Sequence, residues 1–175
     1  GAIGVFDGVS GVEPQSETVW HQADKYRVPK LAFINKLDRL GADFRAAVDS
    51  MKEKLGAHPL VLTIPLGEEG RFQGVIDLLA MKALKWRDET LGVEFDEMEI
   101  PPDFQEAAAG AREALIEAVA EVDDEAMEAY LAERPLSLEE LKAAIHRATV
   151  ALKGVPTYCG AALRNKGIQP LLDGI

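Results

Sequence analysis

Within its first 35 residues the chain passes from one apolar run to another through a helical stretch with short joints, an order that few folds accept. Residues 1–7 (GAIGVFD) form the first run, and Gly8 to Gly11 turn the chain. Ser16 precedes a helical pattern that puts Val19, Trp20 and Ala23 on one face and ends at Pro29; Lys30 to Ile34 (KLAFI) form the second run. Strand, helix and strand joined this tightly predict a right-handed crossover between parallel strands, with the first strand buried. Asp43 then caps a predicted helix to about Leu55, with Phe44, Val48, Met51 and Leu55 at helical spacing.

After Gly56 the pattern changes. Residues 59–66 (PLVLTIPL), 72–86 (FQGVIDLLAMKALKW) and 91–100 (LGVEFDEMEI) read as strands of an antiparallel sheet, with turns at Gly67 to Gly70 and around Asp88 to Gly92. Pro101 and Pro102 stop them. A long helix is predicted from about Asp103 to Val122, with Ala111, Leu115, Val119 and Val122 on one side and Glu113, Glu117 and Glu121 on a solvated side. A short helix covers Glu125 to Leu131. Ser137 and Glu140 have capping-box spacing before a helix with Leu138, Leu141, Ile145, Ala148 and Leu152 on one face. Residues 155–159 (VPTYC) return to strand character, Gly160 to Gly167 form a loop, and Ile168 to Ile175 begin a last helix.

Charge divides the chain in the same places. The net charge is −11, yet residues 56–153 hold 21 acids against 9 bases, and the remainder holds 9 against 10. The excess acidity thus lies in a middle unit with its own surface, and an acidic unit is unsuited to lie on phosphate backbone. The expected organisation is 1–55, an α/β core with a parallel sheet; 56–153, an inserted acidic α+β subdomain; and 154–175, the end of the core. At 175 residues the chain has room for such a pair. It has no apolar run of transmembrane length and no leader pattern, so a soluble cytoplasmic protein is expected. The chain opens on Gly1 directly into a strand, which suggests a piece of something longer.

The local signal that points to chemistry is Asn35-Lys36-Leu37-Asp38, at the carboxyl end of a predicted strand, where open α/β sheets bind ligands. One carboxylate, that of Asp38, can accept from both N1–H and the 2-amino group of guanine, and adenine offers neither donor. The Lys36 stem can cover the base face while its ammonium reaches solvent or a neighbouring loop, and Asn35 can tie adjacent loops. The bland alternative is a strand-end turn capped by Asn and Asp.

The stretch from Gly1 to Phe44 resembles elongation factor G, and Pro14 to Trp20 (PQSETVW) resembles that factor rather than release factor 3 or the ribosomal protection proteins. Residues 160–167 (GAALRNKG) are similar to the family's second guanine loop, G-S-A-L-K-N-K-G. The resemblance implies an incomplete P-loop GTPase-type parallel sheet with an inserted α+β subdomain, and GTP or GDP as ligand. It implies base recognition by Asn35, Lys36 and Asp38, with Ala161, Ala162 and Leu163 in the second loop and the Ala162 N–H near the guanine carbonyl. Ala161 departs from the usual Ser, which puts one supporting hydrogen bond in doubt. Ala162 and Leu163 could instead be packing residues.

No G-x-x-x-x-G-K-[ST] loop is present, so no residue here is expected to be catalytic or to hold metal; the family places those elements, and Mg²⁺, upstream. By the same resemblance the partners are the ribosome and the acidic stalk protein of its large subunit, met by the inserted subdomain on a face around Ala107, Ala111, Ala114 and Ala118. The rival expectation is a non-catalytic interaction module that binds the stalk protein. His21, His58 and His146 pair with no motif-spaced thiol or carboxylate, and Cys159, Trp20 and Trp86 read as packing residues.

Overall fold

The computed structural model describes residues 1–87, 92 and 94–175. Four strands form a parallel sheet: β1 (Ala2–Asp7), β2 (Lys30–Asn35), β3 (Pro59–Val61) and β8 (Val155–Cys159), in the order β1-β2-β8-β3. Helix α1 (Pro14–Lys25) makes the crossover from β1 to β2, and α2 (Phe44–Leu55) follows β2. Asp43 caps α2 by accepting the Ala46 N–H at 2.9 Å, and Gly56 ends it at φ 60°, the left-handed conformation that glycine adopts without steric cost.

A second, antiparallel sheet runs β4 (Thr63–Leu66), β5 (Gly74–Asp77), β6 (Lys82–Trp86) and β7 (Phe95–Met98) in sequence order. Three helices follow: α3 (Pro102–Ala120), α4 (Asp124–Leu131) and α5 (Leu138–Val150), the last opened by the Ser137/Glu140 capping box. The chain closes with α6 (Ile168–Asp173). The architecture is α/β, a parallel sheet with a separate antiparallel sheet and helices.

Two expected strands divide. Residues 59–66 break at Leu62, whose N–H donates to Thr157 of β8 while its carbonyl accepts from Leu78 just past β5; Thr63 of β4 then accepts the Cys159 N–H of β8 at 2.9 Å, so the two sheets join at this break. Residues 72–86 break after Asp77, whose Oδ1 accepts the Leu79 and Ala80 amides at 2.7 and 3.3 Å and turns the chain into β6. Of the turn expected around Asp88 to Gly92, residues 88–91 lie outside those described, as does Val93 at the start of the third run. β1 is not buried as expected: at the sheet edge its Ile3 and Val5 remain 42% and 57% exposed, and Phe6 alone of its large side chains is buried. Val19 likewise faces out, and Trp20 anchors α1.

Two apolar clusters flank the sheets. Alternation along β2 sends Ala32 and Ile34 to one and Phe33 to the other, and along β5 it sends Val75 and Ile76 to opposite clusters. Each cluster therefore draws on both sheets. Leu115 and Val119 of α3 and Leu141 and Ala144 of α5 fill the side of Phe33; Trp20, Val48, Met51 and Trp86 fill the other.

Candidate functional site

The parallel register pairs Asp7 with Asn35, so β1 and β2 end level at the same edge. The next strand, β8, ends at Cys159 beside Ile34 and hands the chain to the loop 160–167. Backbone bonds stitch the three exits together: Gly8 N–H to Asn35 O at 2.7 Å, Gly160 N–H to Ile34 O at 2.9 Å, and Leu37 N–H to Gly160 O at 3.2 Å.

Asn35 is the hub of this edge. Its Oδ1 accepts the Lys36 N–H at 2.8 Å and, from 127 residues further along the chain, the Ala162 N–H at 2.9 Å. The Ala162 amide, expected to face a base carbonyl, donates here to Asn35. Lys36 sits at φ 64°, an uncommon conformation for a residue with a side chain, held by these surrounding bonds. Its Nζ reaches Asp7 Oδ2 at 2.5 Å, and Asp7 Oδ1 accepts the Val9 N–H at 2.8 Å. The hydrogen bond from Lys36 holds the Asp7 carboxyl below the usual carboxylate range.

Asp38 follows Leu37, which is buried, and its own side chain is only 17% exposed. Arg164 Nε stands 3.0 Å from Asp38 Oδ2. In the facing loop, Ala161 is buried, Ala162 is half-buried, and residues 162–164 form a 3₁₀ turn that leaves Leu163 96% exposed. Leu163 is therefore not packed within the described residues. A second link comes from the connection between β4 and β5, where Glu69 accepts the Gly41 N–H at 2.8 Å.

The arrangement gathers Asn35, Lys36, Asp38 and Ala161 to Leu163 at one strand-end edge. Sequence reasoning missed Asp7 and Arg164. Asp7 had a signal, since two neighbouring parallel strands both end in a polar residue; Arg164 had none beyond its place in the loop. A concavity of about 800 Å³ lies beside the amino ends of β1 and β2 and shares no residue with this edge. Apolar and charged residues line it together, Lys30, Asp77, Lys142 and His146 among them, and none of them belongs to the strand-end edge above.

The sequence profile of the Elongation factor Tu GTP binding domain matches residues 1–175. The chain belongs to this family. As a member of it, the chain is a translational GTPase G domain with an insertion, the antiparallel sheet and α3 to α5 following β3 and preceding β8. A crystal structure of a protein from Thermus thermophilus is similar at 29% identity and a TM-score of 0.83, over 96% of this chain and 24% of that one. The chain thus spans about a quarter of that protein's length. Membership of the elongation factor Tu GTP-binding domain family implies a guanine nucleotide as ligand. No helix among the described residues is long and apolar enough to cross a membrane.

Proposed function

We propose that the chain is the base-recognising part of the G domain of a ribosomal translocation factor similar to elongation factor G. Its parent would bind GTP and GDP and hydrolyse GTP in the cytoplasm, with the phosphates and Mg²⁺ held by residues outside this chain. In this reading Asp38 accepts two hydrogen bonds from guanine, the Lys36 stem covers the base, and Asn35 sets the distance to Ala161, Ala162 and Leu163. An adenine in the same place would leave Arg164 as the one partner of a largely buried carboxylate among the described residues, and the two unmade hydrogen bonds cost such sites on the order of 10⁴ in selectivity. Exposed Leu163 is then available to a base rather than committed to packing, while the Ala162 amide, held by Asn35 Oδ1, fixes the loop that carries it.

The observation that carries the reading is the Asn35 amide bound to both loops, with the Asp38 carboxylate at the same carboxyl edge of a parallel sheet. Residues 56–153 are proposed as the inserted subdomain that meets the ribosomal stalk protein. β3 pairs with β8, which favours starting the insertion after Val61. Of the proposed docking face, Ala107 and Ala114 are exposed, while Ala111 and Ala118 pack against the core, which narrows the face to the first pair.

Calorimetric titration with GDP, GTP and ADP tests this, on the chain alone and on the parent with its phosphate loop. The parent is expected to bind both guanine nucleotides, to reject ADP and to lose binding on Asp38→Ala; the chain alone is expected to hydrolyse nothing. Unchanged GDP affinity in the Asp38→Ala parent sinks the assignment, and turnover of GTP by the isolated chain sinks the claim that hydrolysis needs residues elsewhere.

A further inference from the structure

Three ties join the Asn35–Asp38 segment to the second loop, and they differ in kind. Leu37 N–H to Gly160 O and Ala162 N–H to Asn35 Oδ1 both use a backbone amide and set the spacing of the loops. The third, Arg164 Nε to Asp38 Oδ2, is an ion pair, the one such partner of the Asp38 carboxylate among the described residues. Ala161, at the start of the same loop, is buried and carries no side-chain donor. We propose that Arg164 is a positioning residue for guanine: it holds the Asp38 carboxylate at the angle from which both oxygens meet the base. This rests on the reading of Asp38 as the base acceptor.

The geometry supports a clamp that stays in place when the base binds. The torsion that turns an aspartate carboxylate is broad and soft, so a carboxylate without a lateral contact samples many planes. Two-donor recognition needs one plane. Arg164 comes closest to Asp38 through Nε on Oδ2, and its fork forms no hydrogen bond to Oδ1. An ionised carboxylate has about four acceptor positions, so Oδ1 and a further position on Oδ2 remain for N1–H and the 2-amino group. Arg164 is 54% exposed, and an ion pair so open to solvent adds little to folding stability. Its removal should therefore alter recognition without altering the thermal midpoint, which a merely structural role would not do.

The test compares GDP with inosine diphosphate, which lacks the 2-amino group, by calorimetry on the parent protein. Arg164→Ala is expected to weaken GDP by about tenfold, the size of one hydrogen bond to a charged group. Inosine diphosphate should weaken less, so that the preference for GDP narrows. Arg164→Lys should restore part of that preference, and the thermal midpoint should stay within error of the parent's. Equal weakening of both ligands, no change, or a lowered midpoint that accounts for the loss overturns the clamp. Tighter GDP binding also overturns it, since Arg164 would then compete with the base. Asp38→Asn serves as the control: if it leaves GDP affinity intact, the guanine site itself is wrong and the clamp goes with it.

Discussion

Burial in β8 pushes the Cys159 thiol up to about 12, against a weaker opposing hydrogen bond from Thr63. Only the thiolate attacks disulfide reagents, so in the folded protein Cys159 should label no faster than the protein unfolds. Stopped-flow labelling across urea concentrations checks this; rapid labelling in water would mean that β8 opens locally. Gly167 is constrained differently. It sits at φ 85°, and a Cβ there would stand 2.3 Å from the Cys159 carbonyl oxygen. Gly56, also left-handed, has no atom within 4 Å of such a Cβ. Gly56→Ala should therefore cost only the conformational penalty of about 1 kcal/mol. Gly167→Ala should cost more and should also weaken guanine-nucleotide binding, because the backbone that carries Ala162 must move. Paired urea melts and GDP titrations read both effects, and equal destabilisation by the two variants would refute the distinction.

Helices α4 and α5 are fastened by one residue that does two jobs. Asp123 caps α4 through the Ala126 amide and also takes both Nε and Nη2 of Arg147 from α5 at 2.8 Å, while its own side chain is 6% exposed. The Arg147 hydrogen bonds are the main reason its carboxyl titrates below the ordinary range. A folded pKa below the unfolded one stabilises the fold above the ordinary carboxylate value of about 4, and that contribution is lost as pH falls through the folded value. Arg147→Ala should cost about 2 kcal/mol at pH 7 and less at pH 3, as urea midpoints at the two pH values would show. A cost independent of pH would mean that Arg147 acts through packing alone. At this scale the helices were legible because their caps are written in side chains: Asp43, the Ser137/Glu140 box and the Pro101–Pro102 pair each mark a boundary the structure keeps, whereas α1 ends at Lys25, short of Pro29. Strand ends were less so. An apolar run carries no mark of which sheet its residues join, so the switch at Leu62 was invisible, although Asp77 as a turn-forming residue inside a long run was a usable signal for the second break. The candidate site was legible where a side chain makes the contact, at Asn35 and Asp38. Ala162, where the backbone makes the contact, was named only through the resemblance of its loop, and Arg164, a partner from another loop, was not named.

Composition separates an acidic middle from a nearly neutral remainder, yet the packing does not follow the charge. Both apolar clusters take residues from both sheets, and Thr63 of β4 accepts the Cys159 N–H of β8. Charge patterning reports surface, whereas cooperativity follows the shared interior, so a chain can show two electrostatic characters and still unfold as one body. The two tryptophans are placed to decide this. Trp20 packs on Phe6 beside the parallel sheet, with ring centroids 5.7 Å apart, and Trp86 lies in β6 of the antiparallel sheet; both are buried. In Trp20→Phe and Trp86→Phe variants, each left with one indole, the fluorescence midpoints in urea should coincide with each other and with the loss of helical signal once the stability change of each substitution is taken into account. A Trp86 transition well below that of Trp20 would mean that the insertion melts on its own. The shared clusters would then be an interface between two bodies, and strain on the insertion could reach the Gly41–Glu69 contact only while that interface holds.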